Sequence, residues 1–208
     1  MSAGPKVRIR SDIETENALV ITCFPTVGMV SPIVAAYLIE HLELDYIGGI
    51  FDSRLPAVAI VNDGRALPPV RAYGGSPVCS IEGCDQVILF TSELMINDLI
   101  GNEMVWALFD WSKEANVGRG LIVDAFPKAG MKAVGMDGNE PTIEYDDDEE
   151  KVDLLGLASN DAMREAVQAL GLTMVKRGVL RGMNAAIHGE AHRRGIDVMG
   201  IMAEADPR

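Results

Sequence analysis

A strand, a sharp turn and an apolar helix within residues 19–42 constrain the fold of this chain more than any other stretch. Residues 19–24 are apolar apart from Thr22, which predicts a strand buried on both faces, as in parallel sheets. A turn at residues 25–28 follows, with Pro32 in the first turn of a helix, where its missing N–H costs little. Apolar residues then recur at i, i+4 spacing in rows that share one helical stripe. The rows are Met29, Ile33, Tyr37 and Val30, Val34, Leu38, Leu42.

The rest of the chain alternates strand and helix patterns in the same way. Short apolar runs bounded by turn residues predict further strands, and i, i+4 patterns predict further helices. Paired glycines at 48–49 indicate a bulge or a close backbone approach. Prolines at 68–69 predict an edge strand or extended segment over residues 65–73, and Ser159 is the expected N-cap of the third helix. We therefore expect a single-domain, three-layer α/β fold with a mostly parallel, mixed sheet. The expected strands are 6–10, 45–51, 57–61, 86–90, 121–125, 132–136, 142–145 and 196–203, and residues 172–175 and 178–180 are expected as short strands or extended segments. The expected later helices are 97–115, 159–170 and 182–194.

Length and charge limit the class of protein. The 208 residues suffice for one well-buried domain, expected to span 1–208. The formal net charge of −13 disfavours nucleic acid or an anionic membrane as partner, because both attract basic surfaces. No apolar run is long enough for a membrane span, the first residues lack a signal-peptide core, and three cysteines fit a reducing compartment. We expect a cytoplasmic protein.

A ligand pocket is one interpretation of the ends of two buried strands. The turn that contains Thr26 and Gly28 lies between a strand and a helix N-terminus, and Ser92 and Glu93 end the 86–90 strand. Ligands of open α/β sheets bind at this edge. Turns of this kind also occur wherever a chain bends from strand to helix, and neither phosphate-binding glycine motif is present.

No motif specifies catalysis, a metal or a cofactor. His188 and His192 share a helix face, but they lack the metalloprotease motif and an evident third ligand, so we expect solvated histidines. Cys79 and Cys84 are too widely spaced for a zinc knuckle. The acidic run 146–150 lacks the ligand spacing of a calcium loop. We predict no metal and no cofactor.

Residues 23–51, CFPTVGMVSPIVAAYLIEHLELDYIGGIF, resemble the opening of the proteasome assembly chaperone 2 family. The closing segments GVLRGMN (178–184), RGI (194–196) and MAEA (202–205) resemble it too, with Pro56, 89–92 and 171–172 in the expected order. The resemblance is carried by apolar and glycine positions. It implies an α/β fold similar to phosphorylase/hydrolase-like proteins, self-association, and partners among proteasome α-subunits. This chain departs from the family at its end, AEADPR, which lacks the hydrophobic–Tyr–any-residue tail and the final helices of some archaeal members.

Two functions follow as hypotheses. The first is a non-catalytic binding protein that resembles proteasome assembly chaperones, is homo-oligomeric, and acts on proteasome α-subunits or a related partner. Trp106 is then a possible interface residue, and Asp146, Asp147 and Asp148 could steer a basic partner. The alternative is a small-molecule enzyme, nucleoside- or phosphate-utilising, with Glu93 as its acid/base group and Glu204 as a spare candidate. The sequence favours the binding protein.

Overall fold

The computed structural model describes residues 4–75, 86–127, 132–137, 140–144 and 154–205. The strands in these ranges are β1 (Lys6–Ile9), β2 (Leu19–Cys23), β3 (Asp45–Phe51), β4 (Ile60–Asn62), β5 (Arg65–Leu67), β6 (Arg71–Gly75), β7 (Val87–Thr91), β8 (Arg119–Pro127), β9 (Lys132–Asp137), β10 (Glu140–Glu144), β11 (Leu154–Ala158), β12 (Thr173–Met174) and β13 (Val198–Ala205). The helices are α1 (Val30–His41), α2 (Asp98–Glu114), α3 (Asp161–Ala169) and α4 (Gly182–Arg194).

One mixed sheet organises these elements, in the order β1-β3-β6-β7-β2-β8-β13-β11-β12. Its centre is parallel, because β7, β2, β8 and β13 all run in one direction. The flanking β6 and β11 run antiparallel to it, and the pairs β4–β5 and β9–β10 form separate hairpins. The predicted α/β class is confirmed.

Helices cover both faces of the sheet. Met104 of α2 and Ile187 of α4 share one core cluster with Val20 of β2, whereas Ala35 of α1 packs with Ile21, the next residue along β2. Successive strand residues point to opposite faces, so α1 lies opposite α2 and α4. Gly200 of β13 faces α4, because a Cβ on it would meet His188, and Gly156 of β11 faces α3, because a Cβ on it would meet a side chain of that helix. Leu157 pairs with Gly200 and therefore faces α4 as well. Gly156, the residue before Leu157, faces the opposite side, so α3 lies on the same face of the sheet as α1. Three layers result, as predicted.

The paired glycines of β3 are required by close strand approach. The register against β6 shifts between Tyr46 and Gly48, which is the predicted irregularity. A Cβ on Gly49 would lie 2.1 Å from the Val70 carbonyl oxygen, and one on Gly48 would lie 1.9 Å from that of Arg8. These contacts are with backbone, so no side-chain rearrangement would relieve them.

Two predictions about elements were wrong, and one strand was missed. Residues 65–73 do not form an edge strand: the prolines end before β6 begins at Arg71, so β6 pairs on both sides, with β3 and β7. The N-cap of α3 is Asn160, whose Oδ1 accepts the Met163 N–H at 2.9 Å. Ser159 instead links strands, since its Oγ accepts the Val198 N–H and donates to the Ile196 carbonyl. β11 was not predicted at all.

Candidate functional site at the carboxyl edge of the sheet

The chain diverges where β2 and β7 end. These two strands are parallel neighbours, yet α1 follows β2 on one face and α2 follows β7 on the other. In open α/β sheets such a divergence leaves a crevice beyond the strand ends, where ligands bind. Two groups of polar side chains lie at this edge.

The first group lines a cavity of about 540 Å³ between α1, the β4–β5 hairpin and the sheet, which we call the Arg71 pocket. Arg71 of β6 and Glu93, just after β7, face each other there, with Nη2 of Arg71 2.5 Å from Oε1 of Glu93. The Arg71 Nε donates to the Tyr73 hydroxyl at 3.1 Å. Thr91 also lines the pocket, but its hydroxyl is already used, donating to the Cys23 carbonyl.

Arg71 is a buried charge, with only 3% of its surface exposed. Burial opposes ionisation of the guanidinium, but the hydrogen bond and the charge of Glu93 outweigh it and raise the pKa of Arg71. An ion pair with a buried guanidinium contributes little net stability, because desolvation of the guanidinium offsets the attraction. The pair therefore gives the pocket a fixed donor and a half-exposed carboxylate, which suits recognition of a polar ligand.

The second group is a buried network around Asp124 of β8. The Asp124 carboxyl accepts the Ala125 N–H at 2.7 Å and contacts the side chains of Thr26 and Asn184. Burial raises the pKa of Asp124, and these hydrogen bonds oppose that shift less strongly. The Asn184 Nδ2 also donates to the Val123 carbonyl, so the network ties α4 to β8 and to the turn after β2.

The network extends to helix α1 through two hydroxyl groups. The Ser31 hydroxyl donates to the Val123 carbonyl at 2.9 Å. Its oxygen lies 3.0 Å from the Thr26 hydroxyl oxygen, and Thr26 in turn contacts the Asp124 carboxyl. The first turn of α1, the turn before it and β8 are therefore tied together.

The four residues predicted to frame a pocket lie at this edge but face different surroundings. Glu93 lines the Arg71 pocket. Ser92 is fully buried, and its Oγ accepts the Leu94 N–H. Thr26 belongs to the Asp124 network, and Gly28 adopts a positive φ of 63° in the turn before α1. A ligand role for these residues stays a prediction.

The histidine prediction was wrong for one of the pair. His188 packs against Gly200 and its Nε2 has no partner among the described residues, while His192 is exposed and contacts the Ser159 carbonyl. Burial lowers the pKa of His188 to about 4. Within the ranges given above, no group of three or more metal-ligating side chains forms. Cys79, Cys84 and the run 146–150 lie outside the described residues.

Helix α1 presents an apolar row to solvent, contrary to the single buried stripe expected from its sequence. Its buried residues are Ser31 and Ala35, whereas Met29, Ile33 and Tyr37 are 42, 63 and 57% exposed. Val61 of the neighbouring hairpin, across the Arg71 pocket, is also exposed. We call Met29, Ile33 and Tyr37 the α1 surface. Trp106 of α2 is likewise 52% exposed, so it is not a core residue.

Sequence reasoning missed Arg71, Asp124 and Asn184. Arg71 and Asp124 had a visible signal, since each is a charge within an apolar strand pattern, VRAY and LIVDA. Buried charges in such strands are rare unless they are paired or functional. Asn184 had no such signal, because asparagine near the start of a helix is common.

The fold and its edge define a class: a three-layer α/β protein with a polar pocket at the carboxyl edge of the parallel strands and an exposed apolar row on the helix beside that pocket. No described helix has the length and apolar content needed to cross a membrane. The chain belongs to the PAC2 family, whose sequence profile matches residues 20–208.

Three archaeal proteins are similar to this chain in sequence or structure. An uncharacterised protein of Methanocaldococcus jannaschii is 26% identical over 204 residues, which cover 96% of this chain and 73% of that protein. PbaA of Pyrococcus furiosus, described as an archaeal homologue of proteasome-assembly chaperone, superposes with a TM-score of 0.80 at 20% identity, covering 99% of this chain and 74% of PbaA. PbaB of the same organism, described as an archaeal proteasome activator, gives 0.73 at 11% identity, covering 98% and 81%.

Proposed function

We propose that this chain is a non-catalytic, homo-oligomeric assembly chaperone of the cytoplasm that binds proteasome α-subunits or a related partner. The observation that carries the proposal is the α1 surface. Helix α1 packs on the sheet through one face and exposes a row of large apolar residues on the other, and exposed apolar patches of this kind mark interaction surfaces. The class of partner is inferred from family membership and from likeness to PbaA.

The test mixes purified protein with recombinant proteasome α-subunits from the same cell and measures complexes by native mass spectrometry. We expect a complex of fixed stoichiometry. Replacing Ile33 and Tyr37 together by Asp places charges on the α1 surface and should weaken binding by roughly tenfold or more, as loss of central apolar anchors does.

Leu170→Asp provides the matched control, because Leu170 lies at the end of α3 and is 59% exposed, much like Ile33 and Tyr37. It should bind like the wild type. If no α-subunit complex forms with the wild-type protein, the proposal fails. If the double variant binds normally, the α1 surface is not the docking face.

The acidic residues Asp146, Asp147 and Asp148 add a kinetic element to the proposal. We infer that they attract a basic partner surface before contact, an effect that mainly changes the association rate. Replacing all three by Asn should slow association and flatten its dependence on salt in stopped-flow measurements. An unchanged rate would show that the run is only a solvated surface.

A small-molecule site is a second candidate function, favoured by the pairing of buried Arg71 with half-exposed Glu93 in its pocket. Phosphate and nucleosides are the probes for thermal shift, because a guanidinium beside a carboxylate can bind an anion and a hydroxyl group together. Glu93→Gln should abolish any shift that these probes produce, whereas Glu165→Gln on exposed α3 should not. A probe-induced shift that survives Glu93→Gln would remove Glu93 from this role and from acid/base chemistry.

A further inference from the structure

A second cavity lies on the opposite face of the sheet from the α1 surface. It has a volume of about 600 Å³ and lies between α2, α4 and the strands β2, β8 and β13. We call it the α2–α4 cavity. Cavities of this size hold small molecules, and its buried walls are aliphatic and aromatic, so an occupant would have an apolar body. The buried apolar residues of this lining are Val20, Leu108, Phe109, Ile122, Ile187 and Val198.

One buried polar group in this lining lacks a partner. Thr22 of β2 lines the cavity and is 3% exposed, and its Oγ1 makes no hydrogen bond to the described residues. A buried hydroxyl without a partner is costly, and it is satisfied when a ligand offers a hydrogen-bond acceptor.

The sheet register places the Thr22 side chain on the cavity side of the sheet. Thr22 pairs with Phe90 of β7 and with Ile122 of β8. Both of these neighbours belong to the core cluster that contains Met104 of α2 and Ile187 of α4. Paired residues of neighbouring strands point to the same face, so the hydroxyl is directed toward α2 and α4.

The charged residues at the cavity favour a neutral occupant. Arg194 is already paired with two carboxylates, and Lys113 is exposed, so its ammonium group can stay in water. Arg119 pairs with Leu19 on the α1 face of β2, so its side chain leaves the sheet on the other face. No described carboxylate lines the cavity. A charged ligand would therefore lose its hydration without gaining a free counter-charge.

We propose that the α2–α4 cavity binds a neutral, apolar small molecule that carries a carbonyl group, whose oxygen accepts the hydrogen of the Thr22 hydroxyl. A carbonyl oxygen only accepts, so such a ligand brings no donor of its own that would need a partner among apolar walls. The site is separate from the α1 surface, and the proposal stands whether or not α-subunits bind.

Isothermal titration calorimetry with acetophenone and with α-methylstyrene tests the site. The two probes have nearly the same shape, but α-methylstyrene has a CH₂ group in place of the carbonyl oxygen. We expect saturable binding of both to the wild-type protein, because both have an apolar body that fits the lining.

Thr22→Val keeps the shape of the side chain and removes the hydroxyl. It should weaken acetophenone binding by roughly three- to tenfold, the loss expected for one hydrogen bond. Binding of α-methylstyrene should not weaken, because this probe accepts nothing from Thr22. If Thr22→Val weakens neither probe, or weakens both equally, the part assigned to Thr22 is wrong.

Ser112→Phe fills the cavity from the side of α2. Ser112 lines the cavity, and its hydroxyl only donates to the Leu108 carbonyl one turn earlier in the helix, so the substitution costs little stability. It should abolish binding of both probes. Gln168→Phe, which adds the same ring at an exposed position of α3 on the opposite face, is the matched control and should bind as the wild type does.

Urea denaturation of each variant checks that it is folded. Absence of saturable binding of either probe to the wild-type protein would overturn the proposal. So would unchanged binding by the Ser112→Phe variant, because the probes would then bind elsewhere.

Discussion

At the scale of single residues, Asp124 and His188 are both held in environments that disfavour their charged forms, with opposite consequences for stability. For Asp124 the folded state binds the proton more tightly than the unfolded state does, because burial raises its pKa. Stability from this group is therefore lost as the pH rises through the raised folded value. For His188 the folded state binds the proton less tightly, since burial lowers its pKa.

Asp124→Asn should therefore raise the free energy of unfolding at pH 8, because the amide fills the same space without a buried charge. The advantage over the wild type should shrink as the pH falls and Asp124 itself becomes protonated. Urea denaturation of both proteins at several pH values measures this difference. Asp45→Asn, at an exposed position, is the control and should show no such pH-dependent gain. An Asn variant less stable than the wild type at pH 8 would mean that the carboxylate is ionised and stabilising.

His188→Gln should remove an acid-dependent loss of stability. The pKa of His188 is about 4 in the folded protein, against the usual histidine value of 6.5, so the unfolded state takes up the proton first as the pH falls between these values. The wild type should lose roughly 3 kcal/mol of unfolding free energy across that window, at 1.36 kcal/mol per pKa unit. The His188→Gln variant should not show this loss of unfolding free energy. His41→Gln, at the exposed end of α1, should show the same pH dependence as the wild type. Parallel pH profiles for wild type and Gln variant would show that His188 is solvated.

At the scale of elements, two neighbouring residues at the junction of β11 and α3 have different roles. Asn160 caps the helix, and Ser159 links β11 to β13. Asn160→Ala removes the cap of α3 and should cost about 1 kcal/mol. Ser159→Ala leaves the buried Val198 N–H without its acceptor, so we expect a larger cost, up to about 3 kcal/mol. Urea denaturation of the two variants shows which substitution lowers the free energy of unfolding more. A smaller effect at Ser159 would contradict the assignment of the strand link.

The sequence predicted those elements whose local pattern agrees with their final environment. The central strands β2, β7 and β8 are unbroken apolar runs, and α4 has glycine at its C-terminal cap, with a positive φ at Gly195. β11 was missed because LLGLA is too short and too glycine-interrupted to distinguish strand from loop. β6 was predicted at an edge because two prolines precede it in the sequence. The sequence does not show which strands are neighbours in the sheet, so the prediction failed.

The candidate site was predictable only as a location. The carboxyl edge follows from the strand–turn–helix pattern, and Glu93 does line a cavity there. Its partner Arg71 lies 22 residues earlier on an antiparallel strand, and no local pattern indicates that the two meet. The exposure of Ile33 and Tyr37 was also unpredictable, since i, i+4 spacing gives a face but not which face is covered.

At the scale of the whole molecule, self-association is a prediction that Trp106 can test. A large aromatic residue 52% exposed on a helix is typical of an interface anchor. We expect the wild-type protein to be oligomeric by light scattering after size-exclusion chromatography, and Trp106→Glu to lower its mass, because the charge cannot be buried against a second copy. Leu170→Glu is the control and should keep the wild-type mass. A monomeric wild-type protein, or an unchanged mass for the Trp106 variant, would contradict this interface.

The position of β13 has a consequence for how the chain is synthesised. β13 is the last described strand, yet it lies inside the sheet, between β8 and β11, and it is the strand through which β11 and β12 join the rest of the sheet. While the ribosome still holds that segment, the nascent protein presents two unpaired strand edges. Long-range pairing of this kind is slow to form and open to misassembly. Until β13 emerges, the edges of β8 and β11 are therefore open to pairing with other strands.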